Sequence, residues 1–102
     1  MDQIDRLEDV VHVVCTHFGV TEKELLSHRR TRRLHIPRVY AVYLADRISG
    51  ASEREIGAAF ERHPDIIGMY CRSVARQLDE DMEKRGLMRE LEKIVKRRWR
   101  LT

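Results

Sequence analysis

The sequence predicts an all-α protein, a compact bundle of about six helices, on three observations. Apolar residues recur at three- and four-residue spacing in successive stretches. Two capping boxes, Thr21-Glu-Lys-Glu24 and Ser52-Glu-Arg-Glu55, mark helix starts, because each hydroxyl can accept the third backbone N–H while the Glu reaches back. The composition, 42% apolar and 36% charged with five Gly and two Pro, is that of a compact, mostly helical soluble protein. At 102 residues, the chain 1–102 is expected to form one domain with a single modest core.

The elements follow in order. Ile4, Leu7, Val11, Val14 and Phe18 form one apolar stripe, so a helix is predicted over roughly 3–17, ended by Gly19. The Thr21 box starts a short helix over about 21–27 that buries Leu25 and Leu26. Residues 28–36 read as a loop, and Pro37 as the first residue of the next helix, where its missing N–H costs nothing. That helix, about 37–49, is rich in apolar residues and is expected at the centre; Gly50 breaks it. The Ser52 box opens a helix to Phe60, Glu61-Arg-His-Pro64 makes a tight turn, and Pro64 opens a helix to about Leu78. After Gly86, Leu87, Leu91, Ile94 and Leu101 form a last stripe with Met88, Val95 and Trp99 beside it. The pair 52–60 and 64–78, joined by a short turn, has the outline of a helix-turn-helix whose second helix would enter a major groove.

The densest chemical signal is the run Leu25 to Arg38. It holds Arg29, Arg30, Arg32, Arg33 and Arg38, with His28 and His35 and no acid after Glu24. Unpaired cations are costly to bury, and Arg offers a planar fork of donors suited to phosphates and base edges, so the run points to a polyanion. The alternative is a solvated basic loop paired with acids elsewhere in the fold. The net charge is only +3, but its distribution is uneven. Acids gather at Asp2, Asp5, Glu8 and Asp9 and from Asp79 to Glu83, and cations at 29–38 and Lys93–Arg100. The last group also suits a helix C-terminus.

Other function classes find little support. No apolar run approaches a membrane span, and the N-terminus lacks a signal peptide's basic and apolar regions. Cys15 and Cys71 fall in apolar helical patterns, as buried thiols of a cytoplasmic protein would. His12 and Cys15 share a helix face but His17 does not, and no second cluster completes a metal site. His63 and Cys71 lack an oxyanion hole, and no G-x-x-x-x-G-K-[ST] loop is present. Neither catalysis nor a cofactor is expected.

Leu25 to Val74 resembles the C-terminal DNA-binding domain of the bacterial chromosomal replication initiators of the DnaA family. The resemblance is carried by Leu25-Leu-Ser-His-Arg-Arg-Thr-Arg, Pro37-Arg, Ser52…Glu55-Ile-Gly57, Ala59-Phe60 and Cys71-Arg72. Phe18-Gly-Val and the helix before it extend the match towards the N-terminus. It implies a Trp repressor-like fold whose helix-turn-helix reads a short duplex motif. It also implies that Arg30 enters a minor groove with Arg29 and Arg32 beside it, and that Arg62 meets a phosphate. The chain departs from the family at the start of the recognition helix, where Arg62-His-Pro-Asp-Ile66 replaces the family's Arg-Asp-His-Thr-Thr. His63, Asp65 and Ile66 then stand at the base-reading positions. Pro64 has no donor, Asp65 could accept from cytosine, and Ile66 could touch a thymine methyl. One residue is missing between Phe60 and Arg62, and Asp46 stands where the family commonly has a phosphate-binding Lys. The family's initiators carry an ATP-binding module ahead of this domain, whereas this chain starts at Met1 with the DNA-binding part. An accessory DNA-binding protein or regulator without ATPase activity is therefore expected.

Two functional readings follow. In the first, the domain binds double-stranded DNA, and about four of the run's cations on phosphates would give a log affinity–log salt slope near −3.6. In the second, it kept the fold, lost DNA readout and binds a protein. The surface would then be the acidic N-terminal helix or the helix Leu87–Trp99, the latter also a candidate for self-association. RNA is a weaker option, since the run suits any polyanion but interleaved exposed aromatics are missing.

Overall fold

A computed structural model describes residues 3–100; Asp2 and Leu101, counted above in the acidic cluster and the last stripe, lie outside them. Six helices follow one another: α1 (Gln3–Phe18), α2 (Glu22–Leu26), α3 (Arg32–Ile48), α4 (Glu53–Phe60), α5 (Pro64–Glu80) and α6 (Met82–Arg100). Central α3 packs against every other helix. The two capping boxes form as expected. Thr21 Oγ1 accepts from the Glu24 N–H at 3.0 Å, and Ser52 Oγ from the Glu55 N–H at 3.1 Å. Gly19, at φ 68°, ends α1.

Two boundaries differ from the sequence reading. Helix α3 starts at Arg32, not at Pro37, which lies inside it. Leu34, Arg38, Ala41 and Ala45 recur on the buried face of one helix, and Leu34 is fully buried, so its burial draws the arginine-rich stretch into the first turns. Pro37 is tolerated so near the N-terminus because the helix forfeits one intrahelical bond, to the Arg33 carbonyl. Helix α6 starts at Met82 and runs through Gly86. Asp81 interrupts the chain between α5 and α6, and its carboxylate accepts from the Lys84 N–H at 3.1 Å. Arg85 donates back to the Leu78 carbonyl at 2.7 Å and closes the end of α5.

The core draws on all six helices, with Leu25, Leu34, Leu44, Ile56, Phe60, Ile67 and Leu91 among its fully buried side chains. Most of the α6 stripe belongs to it: Met88, Leu91 and Val95 are buried, and Leu87, Ile94 and Trp99 pack against them. The helix expected to offer an apolar face for self-association therefore uses that face inside the bundle. Arg98–Asp9 (3.1 Å) and Arg47–Glu92 (2.9 Å) fasten α6 to α1 and α3.

Candidate nucleic-acid interface

The site is assembled where the end of α2, the start of α3 and the α4–α5 turn meet. At the turn, Glu61 takes a left-handed conformation (φ 54°), and the Arg62 N–H donates to the Gly57 carbonyl at 2.8 Å. This closure needs Gly57, because a Cβ there would lie 2.5 Å from the Arg62 carbonyl oxygen. The chain then enters α5 through His63, whose Nδ1 accepts from the Asp65 N–H at 3.1 Å, with Pro64 at the first helical position.

Arg38 is the main correction to the sequence-derived site. Expected on the polyanion face, it is instead 4% exposed. Its Nε donates to the Leu25 carbonyl at 2.8 Å, Nη1 to Arg29 at 3.0 Å, and Nη2 to Ser27 and Glu24 at 3.0 and 3.2 Å. Burial, with the nearby Arg62 charge second, pushes the guanidinium below its ordinary value. One buried cation thus gathers the last carbonyls of α2 and the loop beyond it, groups that a helix end leaves without intrahelical partners. Half-buried Arg62 extends this frame by donating to the Phe60 carbonyl at 2.7 Å and the Ser27 carbonyl at 2.8 Å. Arg33 pairs with Glu24, whose carboxyl is held below its usual range by the Thr21 backbone N–H first and by Arg33 next.

Arg29, Arg30 and Arg32 are exposed, and among the described residues none of them is in an ion pair. They surround the N-terminus of α3, which has no acid in its first turn and no side-chain cap from Thr31. Free backbone N–H groups, the positive end of the helix dipole and these guanidinium groups make one concentrated positive region. That region continues into a concavity of about 1020 Å³ that reaches Arg62, Ile66 and Tyr70 on the turn and α5. His35 of α3 meets Tyr70 of α5 edge to face, with ring centroids 6.0 Å apart, and closes its floor. His28 stands beside Glu61 at 3.6 Å.

The fold therefore brings Arg29, Arg30, Arg32, Arg33, Arg62 and Ile66 to one concave surface, with buried Arg38 behind it; His63 and Asp65 are exposed but do not line it. Asp46 stands apart, beside Cys71, whose thiol burial pushes up to about 12 with help from that carboxylate. Sequence reading missed three side chains on the solvent face of α5: Met69, Arg72 and Arg76 follow Asp65 at helical spacing and are all exposed. The spacing is legible in the sequence, but the family signature covers only the positions up to Ile66.

The family profile of the bacterial dnaA protein helix-turn-helix matches residues 7–74. The chain belongs to this family. The matched segment runs from Leu7 of α1 to Val74 of α5, hence over all of α4, the first eleven residues of α5 and the whole basic region. Relatives include the chromosomal replication initiator proteins DnaA of Agrobacterium fabrum and Rhizobium meliloti, each 44% identical over 55 residues. That of Brucella abortus is 42% identical over the same length. The aligned segment is 54% of this chain and only 11–12% of these relatives. Among the described residues there is no group of His, Cys, Asp and Glu that could hold a metal ion, and no helix is long and apolar enough to cross a membrane.

Proposed function

We propose that the domain binds double-stranded DNA, as an accessory to replication initiation or a regulator of transcription, without hydrolysing ATP. The observation that carries this is the shared surface of two elements. The unpaired Arg29, Arg30 and Arg32 at the uncapped start of α3 open onto the same concavity as the first turn of α5. With α5 in a major groove, the arginines reach the neighbouring backbone and minor groove, and Arg30 takes the minor-groove position. Base contact falls to Asp65, Ile66 and Met69, with His63 at the entry and Arg72 and Arg76 towards phosphates. Asp65 accepts from a cytosine amino group, and Ile66 and Met69 touch thymine methyls. Arg62 and Arg38 hold the scaffold beneath them. Two free thiols, Cys15 buried and Cys71 half-buried, suit a cytoplasmic setting.

Fluorescence anisotropy with the family's usual duplex motif and a scrambled duplex, at two salt concentrations, tests the proposal. Salt-sensitive binding to both duplexes is expected, with the preference set by Asp65 and Ile66 rather than by the family's signature. Absence of binding to either duplex at low salt, by protein whose helical circular dichroism is intact, would overturn it.

A further inference from the structure

A second concavity, of about 830 Å³, lies between α1, α2 and α4 and shares no lining residue with the basic one. Its floor is apolar, built by Leu7 and Val11 of α1, Leu26 of α2 and Phe60 of α4. Ala58 and Ala59, both exposed on α4, leave it shallow-walled, and Ile4 stands at its edge 67% exposed. Along α1 it runs from Gln3 to Val11, about 12 Å at 1.5 Å per residue, or a little over two helical turns.

The charge around this floor has one sign. Glu8, Glu22 and Glu55 line it, and no Lys or Arg does, although the chain as a whole carries a net charge of +3. Glu55 is partly engaged by its capping box, but among the described residues Glu8 and Glu22 are in no ion pair. Three carboxylates around an apolar trough repel a nucleic acid and attract a cation that brings apolar surface with it.

From this we infer that the α1–α2–α4 groove docks a short amphipathic helix of a partner protein, apolar on one face and flanked by Lys or Arg. Two to three turns of such a helix fill the trough with side chains spaced i, i+3 or i+4, and i+7, while its cations meet Glu8 and Glu22. Because the two concavities are lined by separate residues, the partner and a polyanion occupy the domain together.

The test uses the full chain, isotope-labelled for NMR, and two synthetic helical peptides of twelve residues. Both carry Leu at i, i+3 or i+4, and i+7; one has Lys elsewhere and the other Glu. The Lys peptide is expected to give saturable shifts confined to signals of Leu7, Val11, Leu26 and Ala59. The Glu peptide gives none. Ala59→Arg, on the exposed side of α4, should weaken the Lys peptide at least about tenfold, as insertion of bulk and charge into a central contact does. The pair Glu8→Lys and Glu22→Lys should act likewise, whereas Arg30→Ala should change nothing. The inference is overturned if the shifts spread to other acidic stretches such as Asp79–Glu83, if Ala59→Arg has no effect, or if the Glu peptide binds equally. Concentration-dependent shifts at the groove without peptide, with a matching dimer in sedimentation, would also overturn it by making a second copy the occupant.

Discussion

Replacing Arg38 with Met keeps most of the aliphatic stem and removes the guanidinium, so it isolates what the buried charge does. Four carbonyls accept from that group, but they do not lose equally. Glu24 O keeps the Ser27 N–H and hydroxyl, and Ser27 O keeps Arg62. The Leu25 carbonyl, at the buried end of the array, and the part-buried Arg29 carbonyl lose their donor. One buried orphan acceptor costs about 1–3 kcal/mol, and the second adds less because water can reach it. Relief from burying a cation returns part of this, and the net loss should be about 2–3 kcal/mol. For a chain of this size that is a fall in Tm of about 10–15 °C. Urea unfolding followed by circular dichroism gives the free energy, and DNA anisotropy on the folded fraction gives the second reading. Arg38→Lys should fall between Met and the native residue, since an ammonium can donate but lacks the planar fork. A stability loss under about 0.5 kcal/mol, the range of ordinary surface changes, together with a large loss of DNA affinity, would refute the structural role. It would return Arg38 to the contact surface.

Other measurements probe the remaining parts. With Arg38 buried and Arg33 paired, the three free cations of the run contribute about −2.7 to the salt slope in place of −3.6, to which Arg72 and Arg76 add their own share, and Arg30→Ala with Arg32→Ala should flatten it by about 1.8. An unchanged slope would remove these arginines from the phosphate contact. Gly57→Ala should destabilise by about 1–3 kcal/mol in the same urea assay, because its methyl meets backbone and not a yielding side chain. Burial raises the Cys15 thiol to about 11 and the Cys71 thiol to about 12. Both should react with a disulfide reagent far more slowly at pH 8 in native protein than in denaturant. The Glu24 carboxyl is lowered, so the support it gives α2 is present above the unfolded glutamate value and is lost as pH falls through the lower folded one. An NMR titration placing Glu24 at or above ordinary glutamate would contradict this.

Much of the fold was legible because its signals are local. The Thr21 and Ser52 boxes, Pro64 and the left-handed Gly19 each fix a boundary through contacts within a few residues. The start of α3 is not legible, for a non-local reason. Leu34 reads as an isolated apolar residue among cations, and only its burial beneath α3's partners makes 32–36 helical. Arg38 failed in the same way: sequence reports its charge, but not that four carbonyls from another segment converge on it. Gly86 is no boundary because a glycine weakens a helix without having to end it, and Asp81 supplies the break.

The correction at α3 also bears on how the basic run works. As a flexible loop, five arginines would hold their charges diffusely and would lose conformational freedom on meeting a polyanion. Instead, Arg38 anchors the segment from inside, Arg33 ties it to α2 through Glu24, and Arg29, Arg30 and Arg32 are left exposed around a rigid helix start. That start lacks the acid and the side-chain cap that would otherwise answer its free N–H groups. Helix ends with neither are less stable than they could be, and an external anion is the group that would relieve this one. On the proposed DNA-binding reading, the same residues that look like a loss of helix stability are the place a phosphate takes, with much of the ordering cost met when the domain folds.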